Sequence, residues 1–190
     1  MTPGFRVRPL DQTTWPHFAK LVERHNGVWG GCWCMAFHEE GVGRQKSVAQ
    51  NRSEKERRVR EGRAHAALVY DGSTCVGWCQ FGPADELPRI KHRREYLAGV
   101  SALPDWRITC FFVHSEYRRR GVAAAALEGA LQEIARLGGG TVESYPEDLD
   151  GRCSVSASFL HNGTLAMFES LGFTKSRRLG KHHWVVTKVV

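Results

Sequence analysis

The sequence predicts an α/β fold: one domain spanning residues 1–190, with a single mixed sheet and helices on both of its faces. Three observations point that way. Strand-like and helix-like stretches alternate along the chain, with no internal repeat and no low-complexity linker. One almost continuous apolar run, Ile108 to Val113, has the pattern of a central strand covered on both sides. The chain has 190 residues, 42% hydrophobic and 25% charged, the size and balance of one globular domain that buries about 70% of its unfolded surface.

Taken in order, Phe5-Arg6-Val7-Arg8 alternates apolar and basic and reads as a half-buried strand. Thr13 or Thr14 then offers an N-cap and Pro16 suits a first turn. Trp15, Phe18 and Val22 follow at helical spacing. Residues 26–43 are rich in Gly and aromatics, and within them 31–37 read as a short extended segment. Residues 44–61 read as a charged helix with Glu54/Arg58 and Glu56/Arg60 at supportive four-residue spacing. His65 to Tyr70, the turn Asp71-Gly72 and Cys75 to Phe81 form a hairpin. A long excursion over 82–105 carries a helix around Glu86 to Tyr96. The buried strand Trp106 to Val113 comes next. Val122 to Leu137 is an amphipathic helix with Leu127, Leu131 and Ile134 on one stripe, stopped by three glycines. A short strand, Thr141 to Tyr145, precedes a helix over Thr164 to Leu171. Phe173 to Leu179 and Trp184 to Val190 close the chain as two strands.

Composition excludes several classes. No apolar run reaches the roughly 20 residues that cross a bilayer, and the first residues lack the apolar stretch of a secretory leader. The expected compartment is therefore the cytoplasm, with no membrane partner and with the six cysteines reduced. The net charge of +7 favours anionic partners without naming one. Arg44 to Arg63 holds eight basic and three acidic residues; its alternation with glutamate and lack of aromatics read as a solvated face rather than a nucleic-acid surface. Cys75 and Cys79 have a zinc-like spacing, but on one strand four residues apart they should enter one apolar layer. No metal is expected.

The informative segment is Phe111-Phe112-Val113-His114-Ser115-Glu116-Tyr117-Arg118-Arg119-Arg120-Gly121-Val122-Ala123-Ala124. A buried strand ends, a basic turn follows, and the turn opens directly into an Ala-rich helix. The first turn of a helix carries N–H groups with no intrahelical partner, and the macrodipole adds positive potential. A diphosphate suits both. Gly121 and the small Ala123 let the backbone approach closely, and Arg118 to Arg120 add charge.

Arg118-Arg119-Arg120-Gly121-Val122-Ala123 resembles the Q/R-x-x-G-x-G/A signature of the GNAT superfamily of acyl-CoA N-acyltransferases. Gly163-Thr164-Leu165-Ala166-Met167-Phe168-Glu169-Ser170-Leu171-Gly172-Phe173 is similar to that superfamily's second motif, a short helix ending in aromatic-x-x-x-Gly-Phe. The resemblance is firm from about Trp106 to Phe173. It implies a GNAT-type central mixed, mostly antiparallel, twisted sheet. It further implies transfer of an acetyl or other short acyl group from acetyl-CoA to an amine, by direct attack with help from a general base. The backbone of Phe111, Phe112 and Val113 would pair with the pantetheine arm, and a backbone N–H near Val113 would polarise the thioester carbonyl. Arg118, Arg119, Arg120, Gly121, Val122, Ala123 and Ala124 would hold the diphosphate, with Asn162 and Phe168 also at the cofactor.

Glu143 is the candidate base, on the strand that in this superfamily splays away to admit the cofactor; a surface glutamate at a strand edge is the other reading. His114 and Glu116 are further candidates. Phe168 stands where the second motif often carries a proton-donating tyrosine, so Tyr145, a serine within Ser154–Ser158 or water is left for that role. His161 stands where the motif places an asparagine, and Asn162 is one residue beyond. In GNAT proteins the loop between the first two helices usually helps form the acceptor site. That places Trp29, Trp33 and Phe37 in an aromatic pocket or in the core. The run Arg89 to Arg94 could meet the cofactor's adenosine phosphate or an acidic substrate. The acceptor amine, on a small molecule or a peptide, is not fixed by the sequence, and neither is a homodimer. The alternative functions are a non-catalytic acyl-CoA-binding or regulatory module and, behind it, a basic RNA-interaction protein.

Overall fold

The structure, a computed structural model, describes residues 4–42, 46–152 and 155–190. Cys153, Ser154, the first three residues and the start of the basic stretch at Arg44 lie outside the described residues. Seven strands form one sheet: β1 (Phe5–Pro9), β2 (His65–Asp71), β3 (Thr74–Pro83), β4 (Trp106–Val113), β5 (Thr141–Ser144), β6 (Thr174–Leu179) and β7 (His183–Val189). They lie in the order β1-β2-β3-β4-β5-β7-β6. Every pairing is antiparallel except β4 with β5. Five α-helices complete the fold: α1 (Trp15–Arg24), α2 (Val48–Arg60), α3 (Arg93–Ala98), α4 (Val122–Arg136) and α5 (Leu165–Ser170).

The apolar run of β4 takes the centre of the sheet, where each face meets its own core. Cys110 and Phe112 join Trp15, Phe18, Leu68 and Trp78 on the α1 side. Ile108 and Phe111 join Ala126, Ala130, Phe168 and Val186 on the α4 side. Two residues apart, Ile108 and Cys110 should share a face. They do not, because Gln80 pairs with Cys110 and Phe81 with Ile108, leaving Thr109 as a bulge. The extra residue turns every side chain after it to the opposite face.

Where β4 meets β5 the ladder is short: Trp106–Ile108 pair with Val142–Ser144 and go no further. From the bulge onward, β4 and β5 part. The separation opens a cleft on the sheet beside Cys110 to Val113.

Several elements depart from the sequence reading. Residues 31–37 form turns rather than an extended segment. The non-glycine residues Asn26, Val28, Trp29, Trp33 and Cys34 all have left-handed φ, which no strand permits. The expected helix around Glu86 to Tyr96 begins only at Arg93, since Pro88 disfavours helix for its predecessor and His92 has φ 52°. Cys75 and Cys79 enter different cores, because a register shift between Val69 and Tyr70 breaks the alternation between them. Thr14 is the N-cap of α1, but the cap is made by Asp11, whose Oδ1 accepts from the amides of Thr13 and Thr14 at 2.7 and 2.9 Å.

Helix α2 overturns the solvated-face reading most clearly. Lys55 and Arg58 are 1% and 2% exposed. Neither expected pair forms: Arg58 holds Glu40 through Nε and Nη2, one edge of its guanidinium, at 2.6–3.2 Å, while Arg57 takes Glu54 and Glu61 and Arg52 takes Glu56. Lys55 Nζ donates to Gln80 Oε1 at 3.1 Å and lies 3.0 Å from His38 Nε2. Burial lowers the pKa of His38, and its Nδ1 faces the Glu86 carbonyl at 3.2 Å, so Nε2 is left to accept from the ammonium. A buried charge is tolerated only when paired and hydrogen-bonded in this way.

Candidate active site

Two cavities lie along the β4–β5 separation and share Trp29 as a lining residue. The first, of about 400 Å³, runs from the end of β4 to the start of α4. Its polar end is made by backbone. Gly121 is the N-cap of α4, with φ 84°, no capping side chain and no acidic residue in the first turn. The first intrahelical bond runs from Ala125 N to Gly121 O at 3.0 Å, so the amides of Val122, Ala123 and Ala124 precede it. These are the donors a helix leaves unpaired. Arg119 also has a left-handed φ of 59°, a conformation disfavoured for a residue with a Cβ. The turn thus holds the amides toward one point while Arg118 and Arg119 line the wall. A diphosphate fits this end on charge and on donor supply. The remaining wall is apolar, with Phe111, Phe112, Val113, Leu160 and Met167.

The second cavity, also of about 400 Å³, lies against the segment between α1 and α2. Trp29 lines both cavities. Trp33 does not line either; it is 1% exposed and packs on Trp15 and Phe18 with ring centres 5.9 and 6.3 Å apart. Phe37 forms the far wall, with Cys32, Cys34 and Cys110 between. Thr109's bulge is what turns Cys110 to this side. The Cys32 and Cys34 thiols are neutral at physiological pH, since burial pushes Cys32 up to about 12 and Cys34 well above its ordinary value. Arg89 and Lys91 form the basic part of the wall.

His161 is the titratable imidazole of this second cavity. Its Nδ1 lies 2.9 Å from the Ser158 carbonyl and so carries the proton, leaving Nε2 as the acceptor. Burial lowers its pKa below 6.5, which keeps the ring neutral at pH 7.

A family model described as the Acetyltransferase (GNAT) family matches residues 18–148. The chain belongs to the GNAT acetyltransferase family. Solved structures share its fold over nearly the whole chain. A histone acetyltransferase HPA2-related acetyltransferase from Corynebacterium glutamicum is 18% identical with a TM-score of 0.53, covering 99% of this chain and 96% of that one. The ribosomal-protein-S18-alanine N-acetyltransferase of Escherichia coli is 14% identical with a TM-score of 0.50, covering 98% and 94%. The yncA protein of Salmonella typhimurium, solved with its cofactor acetyl-CoA, is 13% identical with a TM-score of 0.52, covering 98% and 93%. No curated protein matches the sequence.

In this GNAT protein, Phe111, Phe112, Val113, Arg118, Arg119, Gly121, Val122, Ala123 and Ala124 all line the first cavity. Three other residues singled out for the cofactor do not. Arg120 stacks its guanidinium over the Tyr117 ring at 4.8 Å. Phe168 is fully buried, edge-on to Phe111 and Phe173. Asn162 is 1% exposed. Trp29, Leu160 and Met167 line this cavity as well.

Glu143 is neither at a surface nor on an edge strand: it is 6% exposed, with β5 paired on both sides. It lines neither cavity. Its Oε1 accepts from the Tyr145 hydroxyl at 2.6 Å. Tyr145 packs edge-on to Tyr96, whose hydroxyl accepts from Arg107 at 3.4 Å. Burial and the Glu143 carboxylate raise the Tyr145 phenol well above its ordinary value. The group packs with Ile90, a wall residue of the second cavity, and so sits behind that wall. His114 is buried against His25, its Nδ1 accepting from Glu116 N at 3.2 Å, and lines neither cavity. Glu116 is exposed. Ser156 and Ser158 bond to each other at 3.0 Å on the surface. Among the described residues, no cluster of three His, Cys, Asp or Glu is set to hold a metal, and no helix is long and apolar enough to cross a membrane.

Proposed function

We propose that residues 1–190 act as one N-acetyltransferase unit that moves an acetyl or short acyl group from acetyl-CoA to a small amine. The observation that carries this reading is the pair of cavities that share Trp29, one ended by unpaired helix amides and the other lined by a neutral imidazole. When bound, acetyl-CoA supplies a thioester carbon: the amine nitrogen forms a bond to it, the carbon–sulfur bond breaks, and the sulfur leaves as thiolate.

The chain's own groups divide the remaining work. The amides of Val122, Ala123 and Ala124 take the diphosphate, with Arg118 and Arg119 beside it. Phe111 to Val113, which β5 does not pair, offer free backbone to the pantetheine arm as a neighbouring strand would. His161 Nε2 accepts the proton that the attacking nitrogen must lose, a role worth roughly 10²–10⁴ in rate. Glu143, hydrogen-bonded behind the wall, acts as a positioning residue that fixes Tyr145. Tyr117 is the phenol lining the first cavity, with the Arg120 guanidinium over its ring; the thiolate takes its proton from water. The compartment that suits this chemistry is the cytoplasm, where the cysteines at 32, 34, 75, 79 and 110 stay free thiols.

The test is coenzyme A release over a panel of amines, run beside acetyl-CoA calorimetry. Release that requires both amine and acetyl-CoA supports the reading. Tight binding with no release for any amine would instead make the protein a non-catalytic acyl-CoA-binding module. The RNA-interaction alternative predicts steeply salt-dependent nucleic-acid binding, and the α2 arginines that would drive it, Arg57 and Arg58, are already neutralised by glutamates.

A further inference from the structure

The second cavity is apolar and aromatic over most of its wall, with neutral thiols between. Its charge is confined to one side and has one sign: Arg89 and Lys91 are present and no described lining residue is acidic. Neither cation makes an ion pair with a described carboxylate; the ion pairs of this region belong to Arg57 and Arg58 with Glu40. Arg89 is held in place nonetheless. One guanidinium nitrogen donates to the Glu39 carbonyl at 3.4 Å. The group lies so close over Gly41 that a Cβ there would meet Arg89 Cζ at 2.7 Å. Gly41 has φ 60°, so both its conformation and this contact require the absence of a side chain.

A cavity of this charge disfavours an acceptor that carries a second cation, such as a polyamine, because two positive groups already face it. It favours an acceptor with an anion on the same small body as the amine. Guanidinium in particular matches carboxylate through two parallel hydrogen bonds. The aromatic walls, Trp29 and Phe37, suit a flat apolar substituent, and the volume is that of a small-molecule site.

We infer that the acceptor is a carboxylate-bearing primary amine with an aromatic or apolar side chain, an α-amino acid in chemical class, whose carboxylate is held by Arg89 and Lys91 while its body lies between Trp29 and Phe37. This inference rests on the proposed transferase reading, since it assigns the second cavity to that reaction's acceptor.

Binding and turnover test the two separately. Calorimetry with coenzyme A present would compare N-acetylphenylalanine with N-acetylphenylalaninamide, which differ in charge and hardly in shape. Tighter binding of the acid by tenfold or more is expected, falling to within about threefold in Lys91→Gln and in Arg89→Gln. Gly41→Ala, which displaces Arg89 without altering its charge, should lower the ratio as well. Equal binding of acid and amide, tighter binding of the amide, no binding of either, or a ratio unmoved by all three variants overturns the inference. In the second arm, coenzyme A release is measured with phenylalanine, phenethylamine and a linear polyamine. Phenylalanine should exceed phenethylamine by about tenfold in kcat/KM. If the polyamine or phenethylamine is the better acceptor, the transferase stands and the acceptor class falls. If the acid binds through Arg89 and Lys91 but no amine releases coenzyme A, the acceptor-type site stands and the transferase falls.

Discussion

The two cavities that share Trp29 as a lining residue are built by different means. The first is made of main chain: three amides at the start of α4, a strand edge that β5 leaves free, and a glycine that must be left-handed. The second is made of side chains drawn from four separate parts of the chain: 29–42, 89–91, Cys110 and His161. Backbone recognition depends on local pattern, which any relative with the same turn can share. Side-chain recognition depends on loops that the fold does not dictate, so the acceptor is written where this chain is most its own. Changes at the first cavity should abolish cofactor binding whatever the acceptor. Changes at the second should alter which amine reacts, and how fast, with the cofactor still held.

The largest effect is expected at Gly121. Gly121→Glu puts a carboxylate where the diphosphate's charge belongs and forces a side chain into φ 84°. Acetyl-CoA affinity should fall by roughly 10³-fold or more in calorimetry, at a folding cost of only about 1–2 kcal/mol for the left-handed residue. Unchanged affinity would break the assignment of the first cavity.

Next is the ion pair of the buried Arg58 with the half-buried Glu40. Glu40→Gln leaves Arg58 buried without its counter-charge, and urea unfolding should show a loss of about 3 kcal/mol. The same pair sets an acid limit. Partial burial pushes the Glu40 carboxyl up, but the Arg58 hydrogen bonds outweigh this and hold its pKa below the ordinary value. Its contribution is therefore complete above the unfolded carboxyl value of about 4.3 and is lost as pH falls through the lower folded value. A variant whose acid unfolding midpoint matches wild type would show the pair to be inert.

At the second cavity, His161→Gln should lower kcat by about 10²-fold at pH 7 with the KM for acetyl-CoA unchanged. Burial lowers the pKa of the imidazole, so the neutral base persists at pH 7 and is protonated only below about 6.5. The wild-type rate should fall on that acid side, and this limb should vanish in the variant. An acid limb that survives His161→Gln would move the base elsewhere, with Glu143 the next to examine. Glu143→Gln itself gives the smallest change, less than tenfold in kcat, since an amide oxygen can still accept from Tyr145. A drop of 10²-fold or more there would restore the carboxylate as the base.

How much of this the sequence revealed follows the same division. β4, α4 and the basic turn between them were legible because each is a local pattern: a continuous apolar run, a 3.6-residue stripe, and glycine at a helix start. The Arg118–Gly121 turn then carried the family with it. The acceptor side was not legible for three physical reasons. Five non-glycine residues between Asn26 and Cys34 adopt left-handed φ, which packing imposes and propensity does not announce. Lys55 and Arg58 read as solvent-facing, because the partners that allow their burial (His38, Gln80 and Glu40) are distant in sequence. The bulge at Thr109 shifts alternation in mid-strand, and nothing in an apolar run marks where it does so. The late start of α3 was the exception, since Pro88 stood in the open.

The claim beneath all of this is that the unpaired amides opening α4 receive the diphosphate of acetyl-CoA. Titrating isotope-labelled protein with coenzyme A while following backbone amide resonances tests it most directly. The account predicts that Val122, Ala123 and Ala124, with Arg119 and Gly121 beside them, shift the most and move downfield as they gain an anionic acceptor. Shifts centred on another part of the chain, with these amides unmoved at saturation, would contradict it.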